Sequence, residues 1–378
     1  MIKSPRVTAG NSDITDADVL LTGATGFIGA FLLAELLTST PSRVHCVVRA
    51  ASRVAVIDRL RQAQAVYGLD EPDWDRIEAV PGDLTARNLG LDQRRFAALA
   101  QQVTTVFHAA AHVNLVLPAR MLDAVNVEGT RTILRLAGNR GATVHFLSTS
   151  EVFGHADGSV DEDTVPQGRF APTSGYGQSK RAGELLVLQA HRDGLPVVVH
   201  RLDRIAGDSR TGACQPRGDD FWLLVRTALD SGVLPEASVN VTPVDFAARA
   251  VLALAATAPP AGWPITHIHH PCPVPMTDIA AVLGSAGRPT KVLPVPEWSA
   301  ALEELGDRPG SDPVMRLLPV IASRVLGGNP QFLAPRTEAL LRGMGLQCPT
   351  VDTATVDRYV AHLRSTGFLS APTSTISA

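Results

Sequence analysis

The sequence predicts an α/β protein, a doubly wound parallel sheet followed by a smaller, mostly helical C-terminal domain. Two observations predict it. From Asp18 onward, short apolar runs alternate with longer amphipathic stretches, which is the rhythm of strands joined by helical crossovers. The first strand-to-helix junction also carries Gly23, Gly26 and Gly29, the residue type a chain needs to turn sharply out of a strand.

In order, the strands are Val19–Thr22, Val44–Val48, Ile77–Val80, Thr105–His108, Val144–Ser148 and Val197–His200. The helices between them are Phe27–Thr38, Val54–Tyr67, Arg94–Gln101, Asn126–Gly138 and Gly177–Arg192. Right-handed crossovers place ligand sites at the carboxyl ends of such strands. After Arg201 the rhythm breaks. Gly, Pro, Asp and Arg cluster between Ala206 and Asp220, and helical patterns resume at Phe221 and Val244. A strand-like Ile265–His269 follows, then Pro271–Pro275, a poor place for regular structure. The expected organisation is a polar leader over 1–16 and a sheet domain over 17–205, with returning segments within 236–270. A substrate-facing domain is expected from 206–235 and 271–368, and a flexible Ser/Thr-rich tail over 369–378.

Composition narrows the partners. Of 378 residues, 45% are hydrophobic and 19% charged, which suits a packed core and excludes a disordered chain. A net charge of −3 gives no reason to expect nucleic acid. The cysteines at 46, 214, 272 and 348 lack CxxC spacing, so reduced thiols in the cytoplasm are expected rather than disulfides. No basic-then-apolar leader opens the chain, and no apolar run reaches the roughly 18 residues a membrane span needs, so no membrane partner is expected.

The segment from Thr22 through Gly23, Thr25, Gly26, Phe27 and Ile28 to Gly29 is a strand end, a tight turn and a helix start. Glycines there let the backbone approach a pyrophosphate, and the helix N-terminus supplies free N–H groups and a positive dipole end. This predicts a Rossmann-type dinucleotide site. The second strand ends in Arg49, where an NAD site would place a carboxylate. A guanidinium chelates a 2′-phosphate instead, and Arg59 on the next helix is a second candidate clamp, so NADP(H) is the expected cofactor. Asp83, flanked by Gly82 and Leu84 after the third strand, is placed to accept from an adenine amino group. Ala109, Ala110 and Ala111 after the fourth strand are small enough for close backbone approach.

Tyr176 and Lys180 lie one helical turn apart on one face. A nearby ammonium lowers a phenol pKa, which would allow proton exchange with a carbonyl oxygen near neutral pH. Thr149 follows the fifth strand, with Ser148 and Ser150 beside it, and is preferred as the hydroxyl donor to a substrate oxygen. His267, His269, His270 and Cys272 resemble a metal cluster, but strand alternation splits them between faces and no metal is expected. His108 and His112 are expected to be polar packing residues.

These residues resemble the extended short-chain dehydrogenase/reductase superfamily, through Gly23–Gly29, Thr149 and Tyr176–Lys180. The resemblance is closer to one branch, the thioester reductase domains that end nonribosomal peptide and polyketide assembly lines, akin to those of carboxylic acid reductases. Supporting stretches are Leu20–Gly29, Cys46–Ala50, Gly82–Leu84, Phe107–Asn114, Asn126–Thr130, Gly175–Lys180, Gly218–Trp222, Val244–Ala250 and Gly367–Leu369. It implies an acyl or peptidyl chain on the phosphopantetheine of a carrier protein, released with NADPH as an aldehyde or, after a second round, an alcohol. It also implies that Thr149 and Tyr176 stabilise and protonate the oxyanion, that Lys180 holds the nicotinamide ribose, and that Asn126, Leu202 and Ile205 lie beside the cofactor. Arginines 204, 210, 217 and 226 would offer an acidic carrier a basic entrance, and a monomer is expected. The chain departs from the branch at Arg181, where a bulky residue usually follows the lysine. It departs again at Arg201–Arg204, where Leu202 and Asp203 interrupt an expected Arg-Pro-Gly. The alternatives are another extended short-chain enzyme (an acyl-CoA reductase, or a nucleotide-sugar epimerase or dehydratase) and a non-catalytic NADP-sensing protein. Arg49 disfavours the sugar enzymes, and the intact Thr149, Tyr176 and Lys180 disfavour the sensor.

Overall fold

The computed structural model describes residues 18–154, 156–257, 264–306 and 330–369. These divide into two compact units, one drawn from Met1–Ile205, Val244–His269 and Asn329–Gln347, the other from Ala206–Pro243, His270–Gly328 and Cys348–Ala378.

The first unit alternates strand and helix: β1 (Asp18–Thr22), α1 (Phe27–Ser39), β2 (Arg43–Val48), α2 (Arg53–Val66), β3 (Ile77–Pro81), α3 (Gln93–Gln102), β4 (Val103–His108), α4 (Thr130–Gly138), β5 (Thr143–Thr149), α5 (Gly175–Arg192) and β6 (Val197–Leu202). After an excursion into the second unit, the chain returns as α6 (Val244–Ala255), β7 (Ile265–Ile268) and later α7 (Pro335–Gly343). Seven parallel strands pair in the order β7-β6-β5-β4-β1-β2-β3. The order reverses direction between β1 and β4, and a doubly wound sheet offers its ligand crevice at that switch. Both faces are covered, which is why β6 is buried along its whole length and why the strands read as near-continuous apolar runs. Leu20, Val106, Val144, Phe146 and Val199 on one face pack with Leu99 of α3, Ile133 and Leu136 of α4 and Val187 of α5. The predicted strands and helices lie where these elements do. The largest difference is at α4, which is preceded by a wide π turn over Ala124–Gly129 instead of starting as regular helix at Asn126.

A column of aromatic and polar rings crosses the strands of this sheet. Phe107 stacks on His145 at 4.8 Å and His145 on His200 at 5.3 Å. His145 Nδ1 lies 3.1 Å from His200 Nε2, and His200 Nδ1 lies 2.9 Å from Thr266 Oγ1.

Residues 330–347 were expected in the substrate-facing part, and the structure packs them with the sheet. The buried carboxylate of Glu162 explains it. Its Oε1 accepts from the backbone N–H groups of Arg336 (3.1 Å) and Thr337 (2.8 Å) and from the Thr337 hydroxyl (3.0 Å). It thereby caps α7, whose own N-cap residue, Ala334, provides no side-chain cap. Residues Gln331–Phe332 pair in parallel with Ser159–Val160, and Thr337 Oγ1 accepts from the His267 N–H at 3.0 Å.

The second unit contains helices Asp220–Ser231, Met276–Ser285, Val295–Gly306 and Thr353–Ser365, and two short ribbons, Val233–Pro235 with Lys291–Leu293 and Ser238–Val239 with Val274–Pro275. Pro271–Pro275 thus ends in a strand pairing that the sequence did not suggest. Tyr359 is buried, its ring 5.7 Å from that of Trp222, and its hydroxyl donates to the Gly207 carbonyl at 3.2 Å. Leu369 is buried and donates to Leu363 O at 3.0 Å, so the chain is still packed where a tail was expected to begin. The leader and residues 370–378 lie outside the described residues. No helix among the described residues is long and apolar enough to cross a membrane.

The histidines make stability acid-sensitive. Burial pushes His145 down to about 3 and His108 to about 3, the latter helped by Lys180, while burial and then His145 hold His200 well below its ordinary value. Folded, these rings stay neutral; unfolded, each takes up a proton below about pH 6.5. The unfolded state therefore binds more protons, and stability falls as pH drops from about 6.5 toward the folded values, by about 1.4 kcal/mol per ring per pH unit. Urea unfolding at pH 7.0 and pH 5.5 should show a clear drop in the midpoint; equal midpoints would mean the rings are already solvated in the native protein.

Candidate active site

The glycine turn at the end of β1 has no room for side chains. Gly23 adopts φ +78°, and a Cβ on it would lie 2.6 Å from Ala110 N and 2.8 Å from Ala109 C. The Gly26 N–H donates to Gly23 O at 2.8 Å to close the turn, and a Cβ on Gly29 would meet that same oxygen at 2.0 Å. The first turn of α1 has neither a side-chain cap nor an acidic residue, so its N–H groups remain for an anion, and this bare cradle fits a dinucleotide pyrophosphate. Phe27 turns its ring onto Phe31 (5.6 Å) and Tyr67 (5.0 Å), which leaves its backbone for that role. Thr25 and Ile28 are half-buried.

Thr22 is buried, and its hydroxyl is spent inside the protein. Thr22 Oγ1 accepts from the Ala110 N–H (3.2 Å) and meets His108 Nδ1 at 2.7 Å, and His108 Nε2 meets Thr130 Oγ1 at 3.1 Å. Thr130 gives its own proton to Asn126 O at 2.8 Å. It must therefore accept from His108 Nε2–H, leaving Nδ1 to accept from Thr22, so a neutral ring satisfies every partner. Asn126 is likewise consumed. Its Oδ1 accepts from the His112 N–H (2.7 Å) and its Nδ2 donates to His112 O (3.1 Å) and Ser179 Oγ (2.9 Å). Ser179 in turn donates to Tyr176 O at 2.9 Å. Asn126 was expected beside the cofactor, but its amide braces the loop after β4 against α5. His112 itself is exposed.

At the tip of β2 an open cleft of about 430 Å³ is lined by Arg49, Ala50, Gly82, Asp83, Leu89 and Gly90. Arg49 is exposed, and Arg59 donates to its carbonyl oxygen, so Arg59 holds the backbone that carries Arg49. Asp83 accepts from the Thr85 N–H and hydroxyl, both at 2.8 Å. These bonds, backbone first, hold its carboxyl below the usual range, with Arg49 assisting and burial opposing. The Leu84 side chain packs against the core beside Gly129. The far wall is a left-handed turn through Asn88 (φ +53°), Leu89 (φ +62°) and Gly90 (φ +75°), with Asn88 held by Arg135 at 2.9 Å.

The side chains for chemistry lie at the carboxyl end of β5 and the first turns of α5. Ser174 caps α5 through Gly177 N–H (3.0 Å), and a Cβ on Gly177 would stand 2.6 Å from Glu151 O, so the helix start abuts the turn that follows Thr149. Thr149 Oγ1 accepts from Glu151 N–H at 3.3 Å, and a hydrogen bond between Thr149 and the Tyr176 phenol favours the phenolate. Burial first, then Glu151, outweigh it and push the phenol up. Lys180 is buried, donates to Leu147 O at 2.6 Å and lies 4.0 Å from the Phe146 ring centroid. Burial lowers it to about 7, with Glu184 opposing. The lysine was expected to lower the tyrosine; its ammonium instead points at Leu147 O, and the half-buried phenol is pushed up.

Behind these residues stands a fully buried ion pair that the spacing of motifs does not reveal. Arg201 donates to Glu184 Oε1 from Nη2 (2.7 Å) and Nε (3.1 Å), and its Nη1 reaches Thr164 O (2.9 Å) and His267 Nε2 (3.1 Å). Glu184 Oε2 accepts from Ser148 Oγ at 2.5 Å, and His267 Nδ1 donates to Leu333 O at 2.7 Å. His267 is thus engaged with an arginine, and among the described residues no group of metal-ligating side chains comes together. Two signals could have found the pair: Glu184 is four residues beyond Lys180 on the same helix, and Arg201 interrupts an otherwise apolar strand. Leu202 is buried in register with Thr149 and Ile268, Ile205 is half-buried, and Arg181 donates to Phe170 O at 2.6 Å.

Comparison with known proteins agrees with this geometry. An NAD-binding family described as male sterility protein matches residues 21–251. The isonitrile lipopeptide synthase of Streptomyces coeruleorubidus is 36% identical over 94% of this chain and 25% of its own length. A linear gramicidin synthase of Brevibacillus parabrevis is 35% identical over 93% of this chain and 7% of its own length. The chain therefore spans a quarter or less of these two relatives. The crystal structure of the terminal R domain from the myxalamid PKS-NRPS biosynthetic pathway superimposes with a TM-score of 0.86 at 32% identity, covering 98% of this chain and 97% of that one. With its dinucleotide turn at the β1–β4 switch and its Thr149, Tyr176 and Lys180 at the end of β5, the chain belongs to this NAD-binding family, in the branch of nonribosomal peptide and polyketide synthase terminal reductase domains within the extended short-chain dehydrogenase/reductase superfamily.

Proposed function

We propose that this chain is an NADPH-dependent thioester reductase. It takes an acyl or peptidyl chain from the phosphopantetheine arm of a carrier protein and releases it as an aldehyde, which a second round converts to an alcohol. The observation that carries this reading is the meeting of the Thr149 and Tyr176 hydroxyls at the strand ends, one helical turn from Lys180. NADPH, when bound, supplies a hydride to the thioester carbonyl carbon. The protein's own groups handle the oxygen. Thr149 accepts from Glu151 N–H, and its hydroxyl proton, given to the Tyr176 oxygen in the free protein, turns to the carbonyl oxygen of a bound substrate. Tyr176 delivers the proton that neutralises the oxyanion, forming a thiohemiacetal. Breaking the carbon–sulfur bond then yields aldehyde and the pantetheine thiol. Lys180, released from Leu147 O, is the cation for the ribose hydroxyls.

NADPH over NADH rests on Arg49, which stands at the tip of β2 beside Asp83 where a carboxylate would repel a 2′-phosphate. The carrier protein is supported by the synthases that the chain resembles. Of the arginines proposed for its entrance, Arg210 is paired with Asp208 at 3.3 Å and Arg226 lies 5.8 Å from the Phe368 ring.

Tyr176→Phe should lower turnover of an acyl-carrier thioester by about 10²–10⁴-fold while leaving NADPH binding intact. Retained turnover, with aldehyde identified by mass spectrometry, would remove Tyr176 from the mechanism. Arg49→Ala should weaken NADPH by about 10- to 100-fold, the worth of one charge-assisted contact, and leave NADH nearly unchanged. A fluorescence titration in which both cofactors weaken equally would refute the 2′-phosphate assignment. The Lys180 ammonium is lost as pH rises through about 7, facing Glu184 on its own helix, neutral His108 on β4 and the Phe146 ring. Accordingly kcat/KM for NADPH should decline above about pH 7, and Lys180→Arg should remove that limb even if the overall rate is low.

A further inference from the structure

Three hydroxyls stand in a row at the end of β5, and the structure treats them differently. Ser148 Oγ donates to Glu184 Oε2 at 2.5 Å, and that carboxylate is itself fixed by Arg201. Ser150 Oγ donates to Asp203 Oδ1 at 2.9 Å. Thr149, between them, bonds neither carboxylate and meets the Tyr176 phenol instead. The arrangement follows from register. Thr149 pairs with Leu202 across β5 and β6, which sets Ser150 beside Asp203 just past the paired ends. The Asp203 N–H donates to Ile268 O at 3.0 Å, carrying the β6–β7 ladder one residue beyond the named strands. The carboxylate therefore sits on a backbone tied to β7, one residue past the Thr149–Leu202 pair.

We propose that Ser150 and Asp203 form a positioning pair for Thr149: the Asp203 carboxylate holds the Ser150 hydroxyl, fixes the turn that follows Thr149, and leaves Thr149 as the one hydroxyl of the three that no carboxylate holds, able to turn from the Tyr176 phenol to the substrate oxygen. With Ser148 tied to α5 through Glu184 and Ser150 tied to β6 through Asp203, the backbone on both sides of Thr149 is pinned to a different element. Loss of the Asp203 contact frees Ser150 to compete for the carbonyl oxygen and lets the Ser150–Val152 turn, which carries the N–H that orients Thr149 Oγ1, shift. Displacements of about 1 Å at a reacting centre cost on the order of 10²-fold in rate. A neutral amide can still accept from Ser150, so Asp203→Asn should preserve the geometry that Asp203→Ala destroys.

This inference rests on the reading of Thr149 as the carbonyl donor, and one series separates the two. Wild type, Thr149→Ala, Ser150→Ala, Asp203→Ala, Asp203→Asn and the Ser150→Ala/Asp203→Ala double variant are compared with NADPH and octanoyl-pantetheine or octanal, with Tm and the NADPH Kd measured on each. Expected are roughly tenfold losses in kcat for Ser150→Ala and Asp203→Ala. The double variant should lose no more than either single one, Asp203→Asn should approach wild type, and Tm and NADPH Kd should stay unchanged throughout. Wild-type kcat in Ser150→Ala and Asp203→Ala, alongside a slow Thr149→Ala, overturns the positioning pair and spares the site. A wild-type rate in Thr149→Ala, or no turnover by the unsubstituted protein, overturns the site reading and the pair with it. Losses that multiply in the double variant, or that track a falling Tm without rescue by Asp203→Asn, also overturn the pair.

Discussion

The fold is disciplined by one buried ion pair, Glu184 with Arg201, both without solvent exposure. Ionised groups taken out of water cost several kcal/mol each, and the cost is offset only when every donor and acceptor finds a partner. Here the partners come from many places: Ser148 on β5, Thr164 in the loop beyond it, His267 on β7 and, through His267, the carbonyl of Leu333. Phe153 lies under the guanidinium at 4.7 Å, and Phe332 stacks on His267 at 3.9 Å. Any slip of β5, α5, β6 or β7 would strand a charge in a dry interior. The pair adds little net stability for that reason, but it makes the native alignment the one arrangement that satisfies it.

Lys180 and Thr149 are built on those same elements, so the constraint reaches the site directly. The site itself divides its labour. At β1 and β4 the work is done by backbone, where glycines and alanines admit close approach; at β5 and α5 it is done by side chains. A hydrogen-bonded chain joins the halves. It begins at the Ala110 N–H, passes through Thr22, His108 and Thr130 to the Asn126 carbonyl, and continues from the Asn126 amide through Ser179 to the Tyr176 carbonyl. The turn expected to hold phosphate and the tyrosine expected to move a proton thus share one frame, although Tyr176 stands 153 positions beyond Gly23.

What was legible in the sequence was local. Glycines whose Cβ atoms would collide within one turn leave a spacing signature, and so do a tyrosine and a lysine one turn apart. The central sheet was readable because parallel strands buried on both faces are apolar throughout. What depended on register was hidden. Glu184 and Arg201 are 17 residues apart, Arg201 and His267 are 66 apart, and Glu162 caps a helix 175 residues later at Thr337. No periodicity encodes such meetings. The partners of Asn126 were hidden in the same way, since no motif shows that its whole amide braces the loop after β4 against α5. The direction of the Tyr176 shift is hidden for a related reason: spacing brings Lys180 near, but in the fold its ammonium is claimed by Leu147 O, while burial and then Glu151 push the phenol up.

The capping of α7 by Glu162 has a consequence for how the chain is made and cut. The sheet unit is discontinuous, and its last piece, Asn329–Gln347, emerges from the ribosome after most of the second unit. Until then Glu162 is a carboxylate with no helix to cap, and His267 has no carbonyl for its Nδ1 proton. The unit that carries the glycine turn and the tyrosine is therefore finished late in synthesis. A fragment ending at His269 would expose a half-satisfied polar seam along β7 and the loop after β5. For anyone fusing, trimming or transplanting this protein, the usable boundary lies beyond Gln347 rather than at the end of the parallel sheet.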